Sequence, residues 1–369
     1  MQLKQAVRAK NDIIYNKDGT EHIDVCSGGH GTVFLGHSNP EIARYVHEQI
    51  DKIWHAGKIE TDICENARNI VESFLPKEYH LAGLYNTGME AAEFALRAAR
   101  VITKRKDVIS FEKSMHGKSM AMSYLAWDNP FGYHLDGFHK FPLPQKNEEE
   151  DTLKKIESIV KEGNTAAVFV EPMQGTNCGI SASDDFYNAL YEICNKHGTL
   201  VVFDEVLTSF YRTGKRFYFN NLDFIPDMVI LGKIMGNGFT VSGLVMKKDH
   251  EVEPVMLPGS TYAGNPLAAS AVYGTLSIMK KMDMTMKTGM IADTIKRYFQ
   301  AQDNFILRGK GALWTLTFEE KQKAEEIARK AYENGVFLSQ TGSFIRIMPM
   351  VTYSKDNLEK ALSVIRDLI

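Results

Sequence analysis

Four polar segments of the sequence stand where apolar, strand-like runs end or a helix is about to begin. They are Glu171-Pro172 after AAVFV, Asp204-Glu205 after LVVF, Lys233 after MVILG, and Asn86-Thr87-Gly88-Met89-Glu90 before an alanine-rich run. In open α/β sheets, ligands bind beyond the carboxyl ends of the strands, so these segments are candidates for one shared site. Taken singly, each has an ordinary structural explanation, because an aspartate can cap a helix and a lysine can be solvated.

Together, the four segments meet the needs of a phosphorylated, cationic heteroaromatic aldehyde. A helix that begins near Gly88 presents free backbone N–H groups and the positive end of its dipole to a phosphate. A buried Asp204 can keep a pyridine nitrogen protonated, which makes the ring an electron sink. A desolvated Lys233 can form an imine with an aldehyde. This combination predicts an enzyme that uses pyridoxal 5'-phosphate (PLP), with Lys233 as its Schiff-base lysine and amino-group transfer as its reaction.

The elements that must position these residues follow an α/β pattern. Up to about residue 245, apolar runs of strand length alternate with segments of helical period, which is typical of a parallel sheet. The predicted strands are DVISF, AAVFVEP, LVVFDE, DMVILGK and GLVMKK. Helices are predicted from Met89 to Arg100 and from Asp185 to Lys196, since apolar residues recur there at helical spacing.

The two ends of the chain have a different character. Near the N-terminus, Asp18-Gly19 separates two β-prone runs and predicts a hairpin, which a glycine-rich bend at residues 27–31 follows. Near the C-terminus, a helix, the strand FIRIMP and an amphipathic helix follow in order. We therefore expect a large PLP-binding domain of residues 45–275 and a smaller α+β domain of residues 1–44 and 276–369.

The composition favours a small-molecule partner. With 369 residues and a formal net charge of -3, the chain can bury a large core but has no field that would attract nucleic acid or an acidic membrane surface. The four cysteines lie far apart, with no CxxC pair or zinc-knuckle spacing, so no metal site is predicted. The charged N-terminus and the lack of an apolar run of roughly 18 residues predict neither a signal peptide nor a membrane helix. We expect a cytoplasmic protein.

The ordered motifs of the chain resemble those of a known family. The motifs are NTGMEAAEFALRAAR, MHGKSM, VFVEPMQG, VVFDEVLTSFYRTGK, PDMVILGKIMGNGF and GSTYAGNPLAA. They look like the successive signatures of class III (ω-) aminotransferases, and the resemblance runs from the hairpin near Gly19 to FIRIMP. It implies the α/β fold called PLP fold type I, with a mainly parallel central sheet, flanking helices and a smaller α+β domain.

The resemblance also implies roles for individual residues. Lys233 would be the Schiff-base lysine, and Asp204 the partner of the pyridine nitrogen. Gly88 and Met89 would give backbone N–H groups to the phosphate. Thr261 would reach the phosphate of the neighbouring subunit's cofactor, which implies an obligate homodimer with two shared sites. No direct role in bond making is implied for Glu205, the residue that follows Asp204.

At several site positions the chain departs from the family pattern. Met115 stands where relatives usually place an aromatic residue on the pyridine ring, although a thioether can also pack on a π face. His116, which follows it, matches the pattern. Leu207 stands where ornithine and acetylornithine members carry a glutamine, and Lys118 replaces an arginine that this branch uses for the substrate carboxylate.

Arg346, in FIRIMP, matches the family position that meets a substrate carboxylate. In the ornithine branch a glutamate neutralises this arginine when no carboxylate is bound, and here that position is Thr176. The chain is therefore unlike that branch, and its sequence specifies neither the amino donor nor the acceptor.

The resemblance implies amino-group transfer, but three other functions share some of these sequence features. An aminomutase or racemase would keep the same fold, cofactor and lysine, and the motifs separate these reactions poorly. A nucleotide-binding oxidoreductase would need G-x-G-x-x-G after its first strand, but in SGGHGTVF Phe34 stands where the third glycine should be. A PLP-free interaction protein would have no use for both Asp204 and Lys233.

Overall fold

The computed structural model describes residues 3–57, 59–126, 135–250, 252–253, 256–257, 259–300 and 304–369. Its strands are β1 (Ala6–Lys10), β2 (Ile13–Asn16), β3 (Glu21–Asp24), β4 (Tyr79–Tyr85), β5 (Asp107–Phe111), β6 (Phe138–Phe141), β7 (Thr165–Val170), β8 (Leu200–Asp204), β9 (Met228–Leu231), β10 (Ser242–Lys247), β11 (Ile306–Lys310), β12 (Leu313–Thr317), β13 (Val336–Phe337), β14 (Ser339–Thr341) and β15 (Phe344–Ile347). Its α-helices are α1 (Pro40–Ile50), α2 (Asp62–Glu72), α3 (Gly88–Thr103), α4 (Met120–Ala126), α5 (Glu149–Val160), α6 (Asp184–Lys196), α7 (Pro266–Lys280), α8 (Met284–Tyr298), α9 (Lys321–Glu333) and α10 (Lys355–Asp367).

A seven-stranded sheet forms the centre of the molecule. Its order is β4-β10-β9-β8-β7-β5-β6, and every neighbouring pair is parallel except the two pairs that β10 makes. Every residue of β7, β8 and β9 is buried, and alternate residues of β8 belong to two apolar clusters, one on each face. Burial on both faces explains why these strands read as continuous apolar runs in the sequence.

All five strands predicted for this sheet are present. GLVMKK, however, forms β10, which runs antiparallel to both of its neighbours. Two further strands, β4 and β6, were not predicted. The β4 sequence YHLAGLY includes alanine and glycine, which are poor strand formers, so its pattern is weak without the tertiary context.

Chain direction brings the candidate residues to one edge of this sheet. The parallel strands β9, β8, β7 and β5 are neighbours, so their carboxyl ends lie side by side. Lys233 follows β9, Asp204 ends β8, Glu171 follows β7, and the segment with Met115 and His116 follows β5. The predicted helices are also present, since α3 and α6 cover both predicted helical segments.

The two ends of the chain meet in a second sheet of order β1-β2-β3-β13, in which C-terminal β13 runs parallel to N-terminal β3. The predicted hairpin is its β2–β3 pair. A third, antiparallel sheet has the order β11-β12-β15-β14 and contains the predicted strand FIRIMP as β15. The proposed division into residues 45–275 and the remainder stays a prediction.

Arg212 links these regions to the large sheet. Its buried guanidinium donates to the backbone carbonyls of Gly31, Ala312 and Pro349 at 3.1, 3.1 and 2.8 Å. The four cysteines are free thiols. Within the described ranges, no helix has the length and apolar character that a membrane crossing needs.

Candidate active site

A cavity of about 390 Å³ opens at the carboxyl edge of the central sheet. Six predicted site residues line it: Gly88, Met89, Met115, His116, Asp204 and Lys233. They come from four separate segments of the chain, each of which follows a strand of the same sheet. The fold therefore brings together the residues that the sequence predicted for one site.

Lys233 is held at this edge in an unusual backbone conformation. Its φ is 42°, in the left-handed region that a lysine rarely adopts, directly after β9 and Gly232. Such strain persists only where the surroundings impose it, and it is common at functional sites. Burial lowers the pKa of Lys233, while the negative charges of Asp204 and Glu171 oppose that shift. A depressed pKa favours the neutral, nucleophilic amine.

Asp204 lies in the same cavity with only 3% of its surface exposed. One carboxylate oxygen lies 2.8 Å from Nδ1 of His116, and the other accepts the Val206 N–H at 3.1 Å. The other ring nitrogen of His116, Nε2, is buried and has no hydrogen-bond partner in the part of the chain that the structure describes. Buried polar atoms normally have partners, so this nitrogen points to a group that the protein binds here.

The start of α3 supplies free backbone N–H groups to the same cavity. A capping box forms between Thr87 and Glu90: the Thr87 hydroxyl accepts the Glu90 N–H at 3.3 Å, and the Glu90 carboxylate accepts the N–H groups of Asn86 and Thr87. The N–H groups of Gly88 and Met89 remain, because the first turn of a helix has no intrahelical acceptors for them. These groups and the helix dipole favour a phosphate.

These residues fit PLP. The free N–H groups of Gly88 and Met89 suit its phosphate, the carboxylate of Asp204 suits its ring nitrogen, and the amine of Lys233, which lines the same cavity, suits its aldehyde. The orphaned Nε2 of His116 is consistent with a bound group beside Asp204.

Three predicted residues do not line this cavity. Thr261 is exposed, next to Ser260, whose hydroxyl accepts a hydrogen bond from Asn86 at 3.1 Å. Lys118 is exposed. Arg346 lies in β15 and is 7% exposed.

The guanidinium of Arg346 is poorly neutralised. Its Nη2 donates to the Ser339 hydroxyl at 2.5 Å, whereas its Nε is buried without a partner among the described residues. Burial lowers the pKa of Arg346, and the charge of Glu171 opposes the shift. Thr176, at the position of the family's glutamate, donates its hydroxyl to the Lys113 carbonyl at 3.2 Å.

Two further residues, Glu171 and His30, lie near the site. Glu171 is buried, and its carboxylate accepts the N–H groups of Met115 and Gly175 at 2.8 and 3.0 Å. Its position after an apolar strand, like that of Asp204, was a usable signal. His30 belongs to the glycine-rich bend, and burial, Arg346, Lys233 and Lys118 all lower its pKa. The glycine-rich bend therefore lies close enough to Arg346, Lys233 and Lys118 for their positive charges to affect His30.

Comparison with known proteins identifies the family. The family model "Aminotransferase class-III" matches residues 2–369. This chain belongs to the class III aminotransferases. As predicted, it is therefore a PLP-dependent aminotransferase, and amino transfer with PLP as the cofactor is confirmed as its function.

Several relatives align over nearly the whole chain. The LysW-aminoadipate semialdehyde/glutamate semialdehyde transaminase of Sulfolobus acidocaldarius is 30% identical, over 98% of this chain and 93% of that protein. The acetylornithine aminotransferase of Methanopyrus kandleri is 29% identical, over 96% of this chain and 92% of that protein.

Solved structures confirm the predicted fold. The taurine:2-oxoglutarate aminotransferase of Bifidobacterium kashiwanohense, in complex with PLP and glutamate, superposes with a TM-score of 0.91 at 21% identity, over 100% of this chain and 92% of that one. A Bacillus anthracis aminotransferase gives a TM-score of 0.90 at 19% identity, over 100% and 93% of the two chains. The class III aminotransferase described here thus has the α/β fold that its motifs predicted.

Proposed function

We propose that Lys233 and Asp204 carry the transfer of an amino group between an amine or amino acid donor and a keto acid or aldehyde acceptor. The observation that carries this proposal is the meeting of Lys233, the Asp204–His116 pair and the free N–H groups of α3 around one cavity. Gly88, Met89, Met115 and His116 would hold the cofactor.

Each protein group has a distinct task in this proposal. When bound, PLP supplies an electron sink for the electrons that remain on the substrate carbon after its proton leaves. Lys233 Nζ accepts that proton and returns it, and the lowered pKa of this amine favours the neutral form that can act as a base. Asp204, oriented by His116 and the Val206 N–H, places a negative charge beside the cationic nitrogen. The burial of Asp204 and the partial burial of Lys233 limit the access of water to both groups.

Arg346 is the proposed site for a substrate carboxylate, with Lys118 as a second candidate. A guanidinium presents a planar fork that binds a carboxylate through two hydrogen bonds. In this chain the fork has one neutral partner, the Ser339 hydroxyl, and its Nε is unsatisfied within the described residues. Thr176 carries no charge that could neutralise it, so Arg346 is expected to stay available to a carboxylate throughout the reaction cycle.

A homodimer with shared sites completes the proposal. Trp54, Ile59 and Tyr262 are 62%, 73% and 64% exposed, and the ring of Tyr262 contacts His55 at 5.6 Å between centroids. Large apolar side chains exposed together are typical of an interaction surface. Thr261 lies beside Tyr262, so a second subunit seated on this surface would receive the Thr261 hydroxyl. We also propose a cytoplasmic location, where the four cysteines stay reduced.

Half-reactions followed by visible spectroscopy test the proposed chemistry. The cofactor-loaded enzyme is mixed with a panel of amines and amino acids without an acceptor. A transaminase loses the band of the bound aldehyde form and releases one keto or aldehyde product per site, and a keto acid then restores the band. Unchanged product release by Lys233→Ala or Asp204→Ala would contradict the roles proposed for these residues.

A further inference from the structure

Glu171 joins two loops at the carboxyl edge of the central sheet. It follows β7, and its Oε2 accepts the N–H of Met115, in the loop after β5, at 2.8 Å. Its Oε1 accepts the N–H of Gly175, in the turn after β7, at 3.0 Å. One buried carboxylate thus fixes the backbone of two segments that neighbouring strands deliver to the site.

One of these segments lines the candidate active site, and the other packs against Leu207, the residue after the cavity-lining Val206. Met115 lines the cavity that holds Lys233 and Asp204. Gly175 packs so closely on Leu207 that a Cβ on this glycine would lie 2.2 Å from Cδ2 of Leu207. A change in the anchor at Glu171 would therefore move the residues around the cofactor cavity.

The charge of Glu171 also reaches the reacting groups. Burial and the negative charge of Asp204 together raise the pKa of Glu171 to about 7, against the opposing effects of His116 and the two N–H donors. In return, ionised Glu171 raises the pKa values of Lys233 and Arg346. Burying a carboxylate beside another acid is costly, so a purely structural anchor would be better served by a neutral side chain.

We propose that Glu171 is a positioning residue of this aminotransferase: it fixes the backbone of Met115 at the cofactor cavity, and it places a negative charge at the same edge of the sheet as Lys233. The proposal rests on the role proposed for Lys233. It assigns Glu171 no contact with the substrate.

Glu205 provides a matched control. It is also buried, burial also raises its pKa to about 7, and it accepts the N–H groups of Tyr218 and Phe219 at 2.7 and 3.0 Å and the Thr208 hydroxyl at 3.0 Å. These partners lie outside the residues that line the cavity. Glu205→Gln therefore imposes a comparable structural burden without disturbing Met115.

The experiment compares the visible absorbance of the cofactor-loaded wild type, Glu171→Gln, Glu171→Asp and Glu205→Gln as a function of pH. Glu171→Gln should move the midpoint of the spectral titration down by a few tenths to about one pH unit, because a negative charge near Lys233 is lost. Glu205→Gln should leave the midpoint unchanged. Glu171→Asp keeps the charge but is too short to reach both N–H groups, so it should keep the midpoint and release PLP several-fold faster.

Three results would overturn the proposal: a wild-type midpoint in Glu171→Gln, an equal shift in Glu205→Gln, or wild-type PLP release from Glu171→Asp. If Glu171→Gln does not fold, the release rate of Glu171→Asp still decides the positioning role. A wrong role for Lys233 gives a different result. In that case Lys233→Ala would retain the cofactor band, whatever midpoints and release rates the Glu171 variants show.

Discussion

For single residues, the clearest case is Asp204. Its carboxylate belongs to a small hydrogen-bond network that folding alone does not need. The carboxylate is 3% exposed and bonded to His116 and to the Val206 N–H. Breaking a buried ion pair costs roughly 3–5 kcal/mol. If most of that cost falls on the transition state, Asp204→Ala should slow turnover by about two to four orders of magnitude. Single-turnover rates at saturating PLP measure this, and near-normal turnover in the loaded variant would refute the role.

Arg346 should affect substrates according to their charge. Its guanidinium has an unsatisfied Nε among the described residues and only a hydroxyl at Nη2. Loss of a charge-assisted pair costs roughly 2–3 kcal/mol, so Arg346→Ala should raise KM for a keto acid acceptor about 30- to 150-fold. KM for a simple amine donor should change little. Equal effects on both substrates would make Arg346 structural and return carboxylate recognition to Lys118 or another group.

The chemical identity of the site was predictable because Lys233, Asp204 and Gly88 each stand at the end of an apolar run or the start of a helix. The hydrogen bonds of Glu171 could not be predicted from the sequence, since one of its two backbone partners lies 56 residues away. The availability of Arg346 likewise depends on which side chains folding places around it. The sequence showed a missing glutamate at Thr176, but only the structure shows the Ser339 contact.

At the scale of elements, the approach of the loop after β5 to the start of α3 requires a glycine. Gly117 has a φ of +138°, and a Cβ there would lie 2.6 Å from Cγ of Met89 and 3.1 Å from its Cα. Gly117→Ala should therefore displace the first turn of α3. Strain of about 1–3 kcal/mol would weaken PLP binding roughly 5- to 150-fold.

Gly163→Ala is the matched control for Gly117→Ala. Gly163 also has a positive φ, +79°, but a Cβ there would meet nothing within 4 Å. This variant should lose some stability through backbone strain and keep its PLP affinity. Fluorescence titration of the apoenzyme with PLP compares the two, and equal affinities would show that Gly117 does not position α3.

The elements differ in how well their sequences define them. The start of α3 was predictable because Thr87 and Glu90 form a capping box in the sequence itself. The direction of β10 was misjudged, although a signal existed: the connection from β9, residues 232–241, is shorter than the dozen or so residues that a parallel crossover needs. The strand β4 carries no such signal, because its burial depends on pairing with β10.

For the whole molecule, the proposed role of Thr261 requires two subunits. Thr261 is exposed, and it lies outside the cavity of its own chain. A hydroxyl that donates to a phosphate dianion makes a bond worth on the order of 1.5–3 kcal/mol, so Thr261→Ala should weaken PLP retention about 10- to 150-fold. Thr294→Ala, at a half-buried position on α8, should not. Light scattering with cofactor quantification checks this, and a fully loaded, active monomer would contradict the dimer.

Sequence motifs predicted this dimer by resemblance to a family, because the geometry of a second subunit does not follow from the residues of one chain.

Chemical reduction shows which lysine carries the cofactor, and Lys233 is the expected residue. Borohydride converts the linkage between PLP and a lysine into a stable amine, so digestion and mass spectrometry of the reduced enzyme locate the modified residue. Lys233 lines the cavity with Asp204, and its pKa is lowered, so the adduct should lie on the peptide that contains LGKIMGNGF. Lys233→Ala should lose this adduct and its visible band together. An adduct on any other lysine of the freshly loaded wild-type enzyme, with Lys233 unmodified, would contradict the account.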